Sequence, residues 1–92
     1  MIVRILGEGQ YVVAEADVSG LNALDGALER AVEAGDAESF PGALEALLAG
    51  VRAVGTPHGV DSLAESDAIL PPADASLDEV RGLLVDDGLI PG

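Results

Sequence analysis

Apolar residues between positions 17 and 55 recur at a spacing that predicts two amphipathic α-helices packed as a hairpin. In each half of this stretch the aliphatic side chains return every three or four residues, which places them on one face of a helix. The first set comprises Val18, Leu21, Leu24, Leu28 and Val32, and the second comprises Phe40, Leu44, Leu47, Leu48, Val51 and Val54. Gly35 lies between the sets and can adopt the left-handed conformation that ends a helix. One continuous helix would carry Gly35 in its interior at a cost of about 1 kcal/mol, so we expect two helices.

Capping residues suggest where the two helices begin and end. Asp17 and Ser19 are alternative N-caps of the first helix, and the sequence does not decide between them. Asp36 can cap the second helix, which we expect to run from about residue 37 to residue 54. Gly55 then ends it, and the proline that follows prevents its continuation.

Two short apolar segments before the helices predict a β-hairpin. Residues 2–6 and 10–14 are rich in β-branched side chains and are joined by Gly-Glu-Gly, whose glycines supply positive φ angles. Side chains alternate along a strand, so Val3 and Ile5 share one face while Arg4 lies between two apolar neighbours on the other. We interpret Arg4 as laying its aliphatic stem over a partly covered face with its head in water. The alternative is a face that docks on another molecule.

The segments after the second helix predict a turn, a strand, a helix and an extended end. Residues 56–59 have the composition of a turn, and residues 67–70 form a short apolar run stopped by two prolines. Ser76 and Glu79 form a capping box that opens a third helix. Residues 88–91 are predicted as a terminal extended segment that pairs with the sheet. The expected fold class is therefore α+β, with the order β-β-α-α-β-α-β and the αα-hairpin packed on the β-hairpin.

Length and composition are those of one domain covering residues 1–92. A chain of this size buries roughly 60–65% of its unfolded surface. Hydrophobic residues make up 49% of the sequence and aromatic residues 2%, so aliphatic side chains must fill the core. The expected core comprises Val3, Ile5, Val12, Leu21, Leu24, Leu28, Phe40, Leu44, Leu47, Leu48, Val51, Leu77, Val80 and Leu84.

The strongly acidic balance limits the partners of this protein. Seventeen acidic residues and four arginines give a formal net charge of −13. Nucleic acid is a poor partner because phosphate neutralisation needs clustered cations, and an anionic membrane surface is disfavoured for the same reason. No apolar run is long enough for direct membrane insertion, and no secretion signal or cysteine is present, which favours a cytoplasmic location. A basic protein partner is favoured electrostatically.

One acidic helix face is the candidate partner-binding site. Asp25, Glu29 and Glu33 recur every fourth residue on the first helix, and we place them on a face away from the leucines. The face has three interpretations: a solvated surface, a docking surface for basic side chains, or a metal site. The metal site is the least favoured, because no histidine joins the carboxylates and calcium loops need another spacing.

No sequence pattern predicts catalysis. His58 is the single histidine of the chain, and without cysteines it lacks ligand or catalytic partners, so we interpret it as an exposed loop residue. Neither a phosphate-binding glycine loop nor a nucleophile with a matching base is present. We therefore expect no catalytic, cofactor-binding or metal-binding residues, no cofactor, and no enzymatic activity.

Both ends of the chain carry motifs that resemble a known family. The first eleven residues are MIVRILGEGQY. The later matching positions are Asp67, residues 70–74, Leu77, residues 79–81, Leu83, Leu84 and residues 87–91. The helical pair between them agrees in layout, with its halves split by Ala-Gly-Asp. Together these features resemble the PspA-associated domain family, PspAA, over nearly the whole chain.

The resemblance implies a role as a companion of PspA, the coiled-coil, membrane-remodelling protein of the phage-shock envelope-stress response. A member of this family is expected to be a small, non-enzymatic interaction module in the cytoplasm, held at the inner membrane surface through its partner. The alternative is a self-associating structural module, because the half-apolar strand face around Ile2 and Leu6 could mediate homodimerisation.

Overall fold

The computed structural model describes residues 1–58 and 67–83, and shows a four-stranded mixed sheet with helices packed against it. The strands are β1 (Ile2–Ile5), β2 (Gly9–Val12), β3 (Thr56–His58) and β4 (Ala68–Leu70). The helices are α1 (Glu15–Ala34), α2 (Phe40–Val54) and α3 (Leu77–Leu83). The chain order is β1-β2-α1-α2-β3-β4-α3, which confirms the predicted α+β class.

The sheet has the order β3-β2-β1-β4 and is built on the predicted β-hairpin. Strands β1 and β2 pair antiparallel with Val3 opposite Tyr11, and Gly7 at the turn has a φ of 81°. Strand β4 returns to pair parallel with β1, so Val3 also lies beside Ala68. The predicted strand near residues 67–70 is thereby confirmed, and it is the outermost strand on this side of the sheet among the described residues.

Strand β3 corrects the turn predicted for residues 56–59. Thr56–His58 pairs antiparallel with β2, and His58 lies opposite Gln10 rather than in a loop. Pro57 cannot donate a backbone hydrogen bond, but an edge strand has one unpaired side and tolerates it. The predicted terminal segment at residues 88–91 lies outside the described residues.

Helix α1 begins earlier than either predicted N-cap. It starts at Glu15, and Ala14 precedes it without a side-chain capping bond, so the expectation of Asp17 or Ser19 as N-cap is wrong. The reason is the exit from the sheet: the backbone N–H of Val13 donates to Met1 O at 2.7 Å, and the chain turns directly into the helix. The carboxylates in the first turn interact favourably with the helix dipole.

The predicted break between the two helices is confirmed at Gly35. Its φ is 65°, and its N–H donates to Val32 O at 3.1 Å. The next residue, Asp36, donates its N–H to Ala31 O at 2.9 Å, which completes a Schellman motif. Glycine favours this end because a left-handed residue with a Cβ is strained.

Asp36 caps the turn that leads into α2. Its Oδ1 accepts the N–H groups of Glu38 and Ser39 at 3.2 and 3.1 Å. Helix α2 is regular from Phe40, three residues later than the predicted start, because residues 37–39 form a turn. At the third helix the Ser76 half of the predicted capping box is present, with the N–H of Glu79 donating to Ser76 Oγ at 3.1 Å.

The core lies between the sheet and the helical hairpin and is almost entirely aliphatic. Its largest fully buried side chains are Ile5, Leu28, Leu44, Leu47, Leu48, Leu70, Val3, Val13, Val32, Val51 and Val80. The expectation for Val12 is wrong: this residue is exposed and Val13 is buried instead. Because Val3 pairs with Tyr11, the odd-numbered residues of this segment face inward, and a shift of one residue reverses the face.

The remaining predicted core positions fall into three groups. Leu21 and Phe40 are buried as expected. Leu24 and Leu77 are only partly buried and pack against the cluster from its margin. Leu84 lies outside the described residues.

Candidate functional site

The three residues of the candidate acidic face of α1 do not form one exposed surface. Asp25 is buried with 3% of its surface exposed, Glu29 is half-buried and Glu33 is exposed. Residues four apart on an α-helix are displaced by about 40° around its axis, so a series of three drifts across the surface. The placement of Asp25 away from the leucines is therefore wrong.

Asp25 lies within the apolar stripe of α1. It is four residues after Leu21 and three before Leu28, and both of these leucines are buried. Asp25 makes a polar interaction, as buried polar residues generally do. With 3% of its surface exposed, Asp25 is not accessible to a partner, whereas Glu29 and Glu33 retain exposed surface.

Two of the four arginines are used within the fold. The Nε of Arg52 donates to both carboxylate oxygens of Glu8, at 2.9 and 3.1 Å, which ties the end of α2 to the β-hairpin turn. A second carboxylate, that of Glu45, lies 3.8 Å from Nη1 of the same arginine. Arg81 lies 3.5 Å from Asp78 on its own helix and donates its Nη2 to Val32 O at 3.1 Å.

The other two arginines have no such partners in the part of the chain that the structure describes. Arg4 on β1 and Arg30 on α1 are both exposed, and neither forms an ion pair or a hydrogen bond within residues 1–58 and 67–83. The guanidinium of Arg4 is therefore without a counter-ion among the described residues.

Arg4 lies on the sheet face that points away from the core, together with several exposed apolar side chains. We call this surface the outer sheet face, and it comprises Ile2, Arg4, Leu6, Val12 and Ile69. The pairing places Ile69 beside Arg4 and Val12 beside Ile2. Leu6 and Val12 are about 40% exposed and Ile69 is 48% exposed. The same face is covered at Gln10, which is 6% exposed and makes a polar interaction.

Two surface depressions flank the described fold. One, of about 280 Å³, lies at the hairpin end of the outer sheet face and is lined by Arg4, Leu6 and Gln10 among others. The other, of about 270 Å³, lies between the start of α1 and the end of α2 and is lined largely by small and apolar residues. Both lie slightly below the range of about 300–1,000 Å³ that is typical of small-molecule sites.

Within residues 1–58 and 67–83, no group of three or more His, Cys, Asp or Glu side chains has the arrangement of a metal site. No helix in this part of the chain is sufficiently long and apolar to cross a membrane.

The fold and surface define a small, acidic α+β protein with an aliphatic core and an apolar outer sheet face. A family model for PspA-associated proteins matches residues 1–92, so the chain belongs to the PspAA family. Searches of curated proteins and of solved structures gave no significant match.

Sequence reasoning did not assemble the outer sheet face. It placed Arg4 between Ile2 and Leu6, but it assigned Val12 to the core and could not tell that Ile69 lies next to Arg4. Alternation along each strand indicates locally which side chains share a face. No local pattern indicates that β1 pairs with β4, because these strands are separated by more than sixty residues.

Proposed function

We propose that this protein is a non-enzymatic companion of a PspA-like coiled-coil protein and acts by binding it in the phage-shock envelope-stress response. The observation that carries the proposal is the family match across residues 1–92, whose description names an association with PspA. The partner would hold the chain in the cytoplasm at the inner membrane surface.

The charge of the chain supports a partner with basic segments. A net charge of −13 attracts cationic stretches over distances of about a Debye length, which raises the rate of encounter. Glu29 and Glu33 present carboxylates on α1 for such a stretch, whereas Asp25 does not because it is buried. Coiled-coil helices carry charges of both signs on their surfaces, so one partner can meet both the acidic helix and an arginine.

A binding measurement with purified proteins tests the proposal. The full chain is mixed with the PspA-like protein of the same organism and examined by calorimetry and by light scattering at low and at moderate salt. We expect a complex whose association rate falls as salt rises, because surface charges steer the encounter. The absence of a complex at both salt concentrations would refute the proposal.

Charge-reversal variants test the contribution of the acidic helix. Replacement of Glu29 and Glu33 by lysine should slow association with the partner and reduce the salt dependence. The matched control is Asp74→Lys with Glu79→Lys, which changes the net charge equally at two exposed positions near the start of α3. Equal slowing in both double variants would mean that total charge, and not this helix, steers binding.

A further inference from the structure

We infer that the outer sheet face is the docking surface for a partner α-helix that presents a carboxylate within an aliphatic stripe. The inference rests on the proposed function, because it names the surface through which the chain holds a PspA-like protein. Its starting point is that Arg4, which has no partner among the described residues, shares this face with exposed aliphatic side chains.

Arg4 has no counter-ion among the described residues, although two other arginines of the chain do. Arg52 and Arg81 each lie within 4 Å of a carboxylate, but Arg4 has no ion pair or hydrogen bond within residues 1–58 and 67–83. A guanidinium can bind a carboxylate through two parallel hydrogen bonds, and this pairing strengthens when water is excluded. The aliphatic side chains around Arg4 would exclude water once a partner covers them.

The dimensions of the outer sheet face fit one helix. From Ile2 to Leu6 the strand direction covers about 14 Å, and β1 with its neighbour β4 gives two open strands about 5 Å apart. On the β2 side the face is covered at Gln10, so the helix would lie over β1 and β4. An α-helix with its side chains is about 10–12 Å in diameter, and about nine of its residues cover 14 Å. Aliphatic residues of the partner helix at spacings of three and four would contact Leu6 and Ile69, as amphipathic helices do in other apolar grooves.

The depression beside Arg4 gives the partner an anchor. It has a volume of about 280 Å³, and its lining includes Leu6, the glycines of the hairpin turn and Glu8, whose carboxylate is paired with Arg52. The turn glycines Gly7 and Gly9 have no side chains to fill this space. A Glu or Asp side chain that enters the depression would reach the guanidinium of Arg4 while its helix rests on the aliphatic residues.

A second copy of the chain is a less suitable occupant. Arg4 lies on β1, an inner strand of the sheet, so twofold packing of two outer sheet faces would bring the two Arg4 side chains near each other. Each copy also carries a net charge of −13, which opposes close approach. The same charge opposes contact with an anionic membrane surface.

Paired substitutions test the docking surface in the full chain, with the PspA-like protein of the same organism as the probe. Arg4→Glu should weaken binding by about 30-fold or more, the loss typical of one partner of a desolvated charge pair. The matched control is Arg30→Glu, which changes net charge equally at an exposed arginine that also lacks a partner among the described residues. Ile69→Thr should also weaken binding, whereas Val54→Thr, at an exposed apolar residue on α2, should not.

Further variants separate loss of binding from loss of folding. Arg4→Met keeps the aliphatic stem without the charge and should weaken binding while its urea unfolding curve matches that of the original chain. Once the partner carboxylate is located by crosslinking, its replacement by arginine should restore binding to Arg4→Glu. Such a rescue would not occur if Arg4 acted through stability alone.

The possible outcomes distinguish this inference from the proposed function. If the original chain binds and Arg4→Glu binds as tightly as Arg30→Glu, the docking surface is wrong and the proposed function stands. If the original chain does not bind, both fail. A dimer that Arg4→Glu converts to a monomer, or binding to phosphatidylglycerol vesicles that Arg4→Glu abolishes, would overturn the inference by identifying another occupant.

Discussion

The guanidinium of Arg81 on α3 donates a hydrogen bond from Nη2 to the backbone carbonyl of Val32, near the end of α1, at 3.1 Å. The last turn of α1 contains no basic residue of its own. A cation near a helix C-terminus interacts favourably with the helix dipole, and the carbonyl of Val32 thus accepts a second hydrogen bond beside that from the N–H of Gly35. The third helix therefore supplies the cation that the last turn of α1 lacks in its own sequence.

Removal of this contact should destabilise the fold. We expect Arg81→Ala to lower the free energy of unfolding by about 1 kcal/mol, because a charge-assisted hydrogen bond at a partly exposed helix end is lost. A urea titration measures the change. Arg30→Ala is the control, and it should leave the midpoint nearly unchanged. Equal stability of the two variants would show that the contact with Val32 contributes nothing.

The buried carboxylate of Asp25 should contribute to stability, although it was expected on an exposed face. Asp25→Ala removes a buried, engaged polar group and should cost roughly 1–3 kcal/mol in urea unfolding. Glu33→Ala, on the same helix at an exposed position, should change stability by less than about 0.5 kcal/mol. If Asp25→Ala left the free energy of unfolding nearly unchanged, Asp25 would be in contact with water in solution rather than buried.

The cap formed by Asp36 should make stability depend on pH in the acid range. Hydrogen bonds from the Ser39 side chain and from the backbone N–H groups of Ser39 and Glu38 lower the pKa of Asp36 below its ordinary value of 3.8. The folded state therefore binds this proton less readily than the unfolded state, and the stabilisation is present above pH 3.8. It is lost as the pH falls below that value through the lowered pKa.

Unfolding of Asp36→Ala over a range of pH values measures this effect. The variant should be less stable than the original chain near neutral pH, and the difference should narrow under acid conditions. Asp36→Asn keeps an acceptor oxygen without an ionisable group, so its contribution should not vary with pH. A constant difference between the original chain and Asp36→Ala down to the most acid conditions would contradict the assignment.

Two glycines associated with α2 should respond oppositely to alanine. A Cβ at Gly55 would lie 2.6 Å from Val51 O and 2.8 Å from Tyr11 Cβ, so Gly55→Ala should cost about 1–3 kcal/mol. A Cβ at Gly42 would meet no atom within 4 Å, and Gly42→Ala should stabilise the helix by about 0.5–1 kcal/mol. Thermal melts of the two variants should shift in opposite directions. If both melting temperatures rose, the backbone would have moved enough to relieve the close approach of residue 55 to Tyr11.

The sequence by itself determined the elements whose signals are local. Periodicity predicted both long helices, and Gly35 and Asp36 located the break between them because each acts on its own backbone neighbours. The Ser76 cap of the third helix is another contact over three residues. The family motifs also lie in the sequence, and the family match covers residues 1–92.

Tertiary structure alone decided the features that depend on residues distant in the chain. The pairing of Val3 with Tyr11 made Val13 a core residue and left Val12 exposed, and the exit from the sheet moved the start of α1 to Glu15. The packing of α1 buried Asp25, because the face that a helix buries depends on the elements that pack against it. Ile69 likewise came to lie beside Arg4 because strands far apart in sequence pair in the sheet, an arrangement that no local pattern encodes.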